Sequence, residues 1–252
     1  MTAATNATIV VTEFLRSLYR PELQHLIHVV HDGIERPDIV RESPISRQDH
    51  SALLRAMVVT SHDMYRLPVF DLPPVGWRVD VIGRFPPRDR RRERILAAKW
   101  ALSKTEDLAS RIATFRAMLH PRIRYFPWGP ESVYRDLQQA DIGIIPVDTS
   151  GTAAGACPAP SWKVKSENRL TLMMAMGLPV IATPIPSYEA VMRHGDNGFF
   201  ARSGAEWTSC FHALSDPGLR KRMGARARAS VVERFSIELQ ASRFIRVIES
   251  LQ

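Results

Sequence analysis

A cluster of basic and polar side chains directly precedes an apolar, helix-like run in the second half of the chain. Its members are Lys163, Lys165, Ser166, Glu167, Asn168 and Arg169. Ser166 or Asn168 can cap a helix that begins here. The first N–H groups of such a helix have no partner within it, and they lie at the positive end of the helix dipole. Because fixed cations stand beside them, this stretch predicts a binding site for a phosphate group.

The elements that would position this cluster come next in the sequence. The apolar side of the predicted helix runs over residues 170–176, and Gly177 is placed to stop it. Residues 178–183 form a short apolar run, as expected of a buried strand in a parallel sheet. Ser187 can cap a second helix, which Gly195 would end. The sequence therefore predicts a helix–strand–helix unit directly after the cations.

The rest of the chain repeats this alternation of strand and helix. Predicted strands cover residues 8–12, 26–30, 56–61, 77–82, 123–126, 142–147 and 178–183. Predicted helices cover residues 13–20, 94–101, 106–119 and 132–140, and the tail 205–252 is helical. The pattern is typical of the α/β class, with a Rossmann-like parallel sheet flanked by helices and a short amino-terminal segment. Ligands of such sheets bind at the carboxyl ends of the strands. Those ends lie at His62, Gly83, Arg84, Trp128, Asp148, Thr149 and Thr183.

Composition narrows the class of protein and of ligand. Hydrophobic residues make up 45% of the 252 residues and charged residues 24%, as in soluble globular proteins. No apolar run approaches the roughly 20 residues that span a bilayer. Cys157 and Cys210 form no metal-like pair, so we expect a reducing, cytoplasmic environment. The net charge of +8 favours an anionic ligand or peripheral contact with an anionic membrane face.

An arginine-rich run follows the predicted strand 77–82. It contains Arg88, Arg90, Arg91, Arg92 and Arg94. Such a run is usually a solvated helix start, and contact with anionic lipid or a charged partner is the functional alternative. No aromatic residue is interleaved with the arginines, so we expect no nucleic-acid partner.

The stretch NRLTLMMAMGLPVIATPIPSYEAVMRHGDNGFFA resembles the donor-binding half of group 1 glycosyltransferases of the GT-B fold. Their pattern is a Glu, seven residues, a second Glu, and then Ala-Met-Ala-x-Gly-x-Pro-Val-Ile-Ala. Residues 175–182 match the second part, whereas the two carboxylate positions are held by Val164 and Leu172. The ribose contact of the second Glu therefore does not carry over. Residues 165–169 instead resemble a variant Lys-Ser-x-Asn-Arg signature.

The resemblance implies a site for a nucleoside-diphosphate sugar, with no metal or other cofactor. Arg84, Lys165 and Arg169 would hold the diphosphate, together with backbone N–H groups of the helix that begins near Asn168. Glu167 and Asn168 are polar enough to contact ribose or sugar hydroxyls. The implied donor-binding set is Arg84, Trp128, Lys165, Ser166, Glu167, Asn168 and Arg169, with Trp128 stacking on the base. Weaker candidates are Arg66, Gly83, Asp148 and Thr149. No catalytic residue is assigned.

The first segment resembles the end of a GT-B amino-terminal domain followed by its linker, which enters through residues 32–35. We therefore divide the chain into residues 1–47 and a nucleotide-sugar-binding domain over residues 48–252. Most of the acceptor-binding domain of such an enzyme would be missing. The tail resembles the terminal helix of these enzymes, and one apolar stripe runs along it. Its residues are Ile237, Ala241, Phe244, Ile245, Ile248 and Leu251.

These resemblances predict a glycosyltransferase that acts in polysaccharide or glycoconjugate biosynthesis. The alternative is a non-catalytic donor-binding subunit, or a truncated remnant, that needs an acceptor-domain protein for activity or that self-associates. A sugar-nucleotide epimerase shares the fold and ranks third, because its catalytic carboxylates and histidines have no counterparts that can be placed here.

Overall fold

The central sheet of the protein is built from buried apolar strands. The structure is a computed structural model that describes residues 6–42, 53–60, 73–83, 99, 108–153 and 158–251. The strands of this sheet are β3 Leu54–Val59, β4 Trp77–Gly83, β5 Ile123–Pro127, β6 Ile142–Ile145, β7 Val180–Ala182 and β8 Phe199–Phe200. All neighbours are parallel, and their order is β5-β4-β3-β6-β7-β8. Strands β6 and β7 are buried along their whole length, as parallel strands covered on both faces must be.

The direction in which the sheet grows reverses between β3 and β6. The chain adds β4 and β5 on one side of β3, then returns to place β6 on the other side. Ala56 pairs with Ile142 across this junction. The connections that leave β3 and β6 therefore diverge, and a crevice opens between them at the carboxyl ends of the strands. This is the place where open α/β sheets bind their ligands.

Helices cover both faces of the sheet, which confirms the predicted α/β class. We number the described helices in chain order. They are α1 Glu13–Ser17, α2 Pro37–Glu42, α3 Leu108–Leu119, α4 Ser132–Gln138, α5 Asn168–Ala175, α6 Pro186–Glu189, α7 Gly204–Ala213, α8 Pro217–Val231 and α9 Ile237–Glu249. One apolar core contains Leu137 of α4, Met173 of α5 and Ala227 of α8. The core on the other face joins Trp77 of β4 to Phe211 of α7, with ring centres 5.1 Å apart. None of the described helices has the length and apolar character needed to cross a membrane.

Two predicted helix boundaries are wrong at the level of the capping residue. Glu167, rather than Ser166 or Asn168, is the N-cap of α5, and its side chain makes no capping hydrogen bond. Ile185, rather than Ser187, is the N-cap of α6, because Pro186 has the backbone angle of a first helical residue. Helix α6 also ends at Glu189, well before Gly195, which the sequence suggested as its stop.

The predicted helix stop at Gly177 is correct, whereas two predicted strands are too long. Gly177 has a φ of 77° directly after α5, which confirms it as the helix stop. The predicted strand 178–183 shortens to Val180–Ala182 and the predicted strand 142–147 to Ile142–Ile145. Pro146 directly follows β6 and Pro179 directly precedes β7. Neither proline has an N–H group for a ladder, so β6 ends before Pro146 and β7 begins after Pro179.

Helix α8 packs directly on the turn between α5 and β7. A Cβ atom added to Gly224 of α8 would lie 2.1 Å from the carbonyl oxygen of Gly177. Only a glycine allows the two backbones to come this close. This contact fixes α5, and with it the cation cluster, relative to the carboxy-terminal helices.

The amino-terminal segment forms a small unit of its own and packs on the last helix. Strands β1 Thr8–Val10 and β2 Ile27–Val29 make a separate two-stranded parallel sheet. The Ile34 N–H donates to the Phe235 carbonyl at 2.8 Å, just before α9. The predicted division of the chain near residue 47 stays a prediction. The predicted helix 94–101 and the arginine run fall on residues outside the described ranges, apart from Lys99.

Candidate functional site

The cation cluster lies at the crevice between β3 and β6. Arg169, in the first turn of α5, points its guanidinium at the end of β3, where Nη1 is 3.4 Å from the Val59 carbonyl oxygen. Lys165 precedes the N-cap of α5 and is partly buried. Burial, and then the charge of Arg169, lower the pKa of Lys165. Two cations that raise each other's energy in this way favour an anion between or beside them.

The amino-terminus of α5 adds backbone donors to this place. No acidic residue stands in the first turn of the helix, and the side chain of the N-cap residue leaves the free N–H groups uncapped. Asn168 is exposed at the first helical position, and Ser166 is partly buried just before it. The arrangement can therefore bind a phosphate with backbone donors, the helix dipole and two fixed charges.

Glu167 is buried rather than open to a ligand. The residue is 1% exposed, and its Oε1 lies 2.6 Å from Nδ1 of His31 in the amino-terminal segment. The second carboxylate oxygen, Oε2, is also buried and has no hydrogen-bond partner among the described residues. Contact between Glu167 and a ribose or sugar hydroxyl stays a prediction, and it requires this side chain to turn outward. Sequence analysis missed His31, because nothing in its local pattern points to α5.

Tyr188 of α6 lies in the same electrostatic environment and was also missed from the sequence. Burial raises the pKa of its hydroxyl, Arg169 lowers it, and Glu167 raises it. Among the described residues the hydroxyl oxygen has no hydrogen-bond partner. The three side chains therefore belong to one cluster behind the first turn of α5.

Other candidates lie at neighbouring strand ends. Trp128 follows β5, its backbone N–H donates to the Gly83 carbonyl at 2.7 Å, and the residue is 54% exposed. An indole held at a strand end and open to solvent has the geometry of a stacking platform. Gly83 is the buried last residue of β4. Arg66 and Arg84 lie outside the described residues, so their roles stay predictions.

A cleft of about 660 Å³ opens beside the cluster, at the carboxyl ends of β6 and β7. Its lining includes Asp148, Thr149, Trp162, Lys163 and Arg202. The Trp162 indole donates to the Gly151 carbonyl at 3.1 Å, and the Lys163 ammonium lies 5.2 Å from the indole centre. These contacts fix the loop that carries Asp148 and Thr149. Trp162 was not singled out from the sequence, although it directly precedes the first cation of the cluster.

The described residues contain no group of three or more His, Cys, Asp or Glu side chains with the geometry of a metal site. The expectation of a metal-free, cofactor-free reaction stays a prediction.

Solved structures share this fold. HepE of Anabaena, in complex with UDP and glucose, matches 99% of this chain with a TM-score of 0.66 and 12% sequence identity. A glycosyltransferase from Rickettsia africae matches 98% of the chain with a TM-score of 0.62 and 14% identity. The chain covers 64% of the HepE chain and 63% of the Rickettsia chain. The structural neighbours are GT-B glycosyltransferases, which confirms the fold predicted from the resemblance.

One relative is similar in sequence over a shorter stretch. N-acetyl-alpha-D-glucosaminyl L-malate synthase of Bacillus anthracis is 35% identical over 74 residues. These residues are 28% of this chain and 19% of the synthase. No family model matches the chain. The chain thus has a GT-B fold and spans less than two thirds of the length of these proteins.

Proposed function

We propose that this chain is the donor-binding part of a GT-B glycosyltransferase, which transfers a sugar from a nucleoside diphosphate to an acceptor hydroxyl. The observation that carries the proposal is the placement of Lys165 and Arg169. Both lie at the uncapped amino-terminus of α5, and that helix begins at the crevice between β3 and β6. A diphosphate needs this combination of positive charge and converging N–H groups.

The chemistry asked of this site is stabilisation of a leaving group. When the bond between the sugar and the diphosphate breaks, negative charge grows on the diphosphate oxygen. Arg169 is bound to the Val59 carbonyl and Lys165 lies beside it in a partly buried place, so both cations are available to stabilise that charge. Trp128 would stack on the base, and Asp148 and Thr149 line the adjacent cleft, where they can accept or donate hydrogen bonds to hydroxyl groups. No described residue is assigned as a catalytic base.

The relatives support this substrate class. HepE structures contain UDP, UDP with glucose, or UDP-glucose. We extend this to the present chain as a proposal: a nucleotide sugar is its ligand, and polysaccharide or glycoconjugate biosynthesis is the process it serves. A cytoplasmic location belongs to the same proposal, and peripheral contact with an anionic membrane stays a prediction from the net charge.

A second candidate function is a donor-binding subunit that acts only with a partner chain. The apolar stripe of α9 favours it. Phe244, Ile245 and Ile248 are 47%, 53% and 45% exposed, whereas the buried residues of α9 are Gln240 and Val247. Large apolar side chains in a row on the surface favour association with another protein or with a second copy.

Calorimetry with a panel of ligands tests the proposed function. UDP, GDP and ADP and their glucose or mannose conjugates are titrated into the purified chain, with the corresponding nucleoside monophosphates as controls. We expect one nucleoside diphosphate to bind more tightly than its monophosphate, because the second phosphate adds charge-assisted contacts. Equal, weak heats for all diphosphates and monophosphates would contradict a diphosphate site.

A further inference from the structure

A histidine of the amino-terminal segment contacts the N-cap residue of α5, the helix of the proposed donor site. His31 Nδ1 lies 2.6 Å from Glu167 Oε1, although the two residues are 136 positions apart in the chain. The side chains are 14% and 2% exposed. The contact is therefore a buried, charge-assisted bridge between two parts of the molecule that the sequence does not link.

The neighbours of Nδ1 identify the proton that makes this bridge. Nδ1 lies 3.0 Å from the Val11 carbonyl oxygen as well as 2.6 Å from the Glu167 oxygen. A carbonyl oxygen can only accept a hydrogen bond, so an unprotonated Nδ1 would face it lone pair to lone pair. We assign the proton to Nδ1 from this network, with Glu167 Oε1 as the second acceptor.

His31 is itself held in place by residues at and just before the start of α9. Its backbone N–H donates to Gln240 Oε1 at 3.1 Å, and its ring meets the edge of Phe235 with centres 5.1 Å apart. Gln240 in turn donates to the Arg234 carbonyl at 2.8 Å. The imidazole is therefore anchored to the start of α9, and it fixes the position of the Glu167 carboxylate rather than following it.

The contact between His31 and Glu167 fixes where the Glu167 carboxylate lies relative to the two cations of the proposed phosphate site. Glu167 is the N-cap of α5, between Lys165 and Arg169 in sequence, and Arg169 and Glu167 both act on Tyr188. Without His31 as a donor, the buried Glu167 carboxylate would need another partner. Lys165 and Arg169 are the cations nearest to it in sequence. A cation that pairs with Glu167 is less able to bind a phosphate.

We propose that His31 is a positioning residue of the donor site. It holds the Glu167 carboxylate on the side of the amino-terminal segment and so leaves Lys165 and Arg169 to the diphosphate. Docking of the amino-terminal segment and binding of the diphosphate are then coupled, and each strengthens the other. This inference rests on the proposed function for the identity of the ligand. The effect of His31 on the first turn of α5 does not depend on the ligand.

Two substitutions of His31 separate positioning from mere packing. His31→Ala removes the donor, whereas His31→Asn offers an amide N–H close to the position of Nδ1. By calorimetry with UDP, we expect His31→Ala to weaken binding about tenfold and His31→Asn to recover most of that loss. In a Glu167→Ala background, His31→Ala should have no further effect, because the group through which it acts is gone. The double variant keeps the test open where His31→Ala alone does not fold, since it leaves no buried charge unpaired.

Hydrogen exchange without any ligand gives a second readout. The Thr171 N–H donates to the Glu167 carbonyl at 2.9 Å in the first turn of α5. Exchange at this amide should be faster in His31→Ala and near the original rate in His31→Asn. UDP binding with the same affinity in His31→Ala and in the unaltered chain would overturn this inference alone. Failure of the unaltered chain to bind any nucleoside diphosphate would overturn the proposed function and the diphosphate coupling with it, whereas unchanged exchange would overturn the positioning of α5.

Discussion

Lys165 and Arg169 do different work although they lie four residues apart. Arg169 is tied to the end of β3 through the Val59 carbonyl, so its guanidinium keeps a fixed place at the crevice. Burial, and then the charge of Arg169, lower the pKa of Lys165, so a bound anion would stabilise its ammonium form. The two residues together set both the position and the strength of the proposed diphosphate contact.

At this scale we predict that Lys165→Ala and Arg169→Ala each weaken UDP binding by about 1.5–3 kcal/mol, the worth of one charge-assisted hydrogen bond. Calorimetry on folded protein measures the loss. Arg226→Ala is the matched control, because Arg226 is an exposed cation that pairs with Asp196 at 2.9 Å on the surface of α8. Full affinity in both test variants would mean that the diphosphate binds elsewhere.

Sequence reasoning identified these cations but not the groups behind them. Lys165 and Arg169 are readable because a local pattern, basic residues before an apolar helix, brings them to a helix terminus. His31 and Tyr188 reach the same place only through tertiary packing, across 136 positions in the case of His31 and Glu167. No local pattern encodes such a contact. The same packing explains why Glu167, polar by type, is 1% exposed.

At the scale of elements, the contact between α5 and α8 positions the cation cluster. The backbone of Gly224 in α8 approaches the turn at Gly177, and Met173 of α5 lies against Gly143 of β6. Helix α5 therefore packs closely on two glycines: a Cβ atom at Gly224 would meet backbone, and a Cβ atom at Gly143 would meet the Met173 side chain. The proposed donor site depends on this packing, because Lys165 and Arg169 move with α5.

We predict that Gly224→Ala destabilises the protein by about 1–3 kcal/mol, because the added methyl group overlaps the Gly177 carbonyl and α8 must shift. Thermal or denaturant unfolding followed by circular dichroism measures the change. Gly151→Ala is the control, since a Cβ atom there meets no atom within 4 Å. Equal stability of the Gly224 variant and the unaltered chain would show that α8 is not held against this turn.

Element types were predictable where apolar runs are long, and element bounds were not. The alternation of strands and helices gave the parallel sheet, yet β8, with only Phe199 and Phe200, was not predicted. Two residues give no periodicity to detect. Likewise α6 is a single turn that begins at a proline, and the serine inside it gave a misleading capping signal.

At the scale of the whole molecule, α9 presents a row of exposed apolar side chains. The predicted stripe exists, but it faces outward, because Gln240 and Val247 take the buried side of the helix. The resemblance to GT-B enzymes anticipated that this face would be left bare. The contact through which α9 holds the amino-terminal segment was not foreseen, since it depends on backbone groups that no side-chain pattern reveals.

We predict that the purified chain binds a nucleotide sugar but transfers no sugar by itself. Transfer needs the acceptor hydroxyl placed against the anomeric carbon, and such positioning supplies roughly 7–11 kcal/mol of barrier reduction. The test incubates the chain with radiolabelled donor and sugar acceptors, with and without lysate from its source. UDP calorimetry on the same preparation shows that the protein is folded. Efficient transfer by the purified monomer would refute the need for a partner.

The hydrogen bond between the His31 N–H and Gln240 has a consequence for the order of events during synthesis. The two residues are 209 positions apart, so a ribosome that adds about 5–20 residues per second finishes Gln240 roughly 10–40 s after His31. During that interval β1, β2 and His31 have been translated, but the α9 residues on which they pack have not. Glu167 is also made before α9, at a stage when His31 does not yet have its hydrogen bond to Gln240. If His31 positions Glu167 as proposed, the charge arrangement at the start of α5 is complete only after Gln240 has been made, and a chain stalled before Gln240 would have the sheet but not this arrangement.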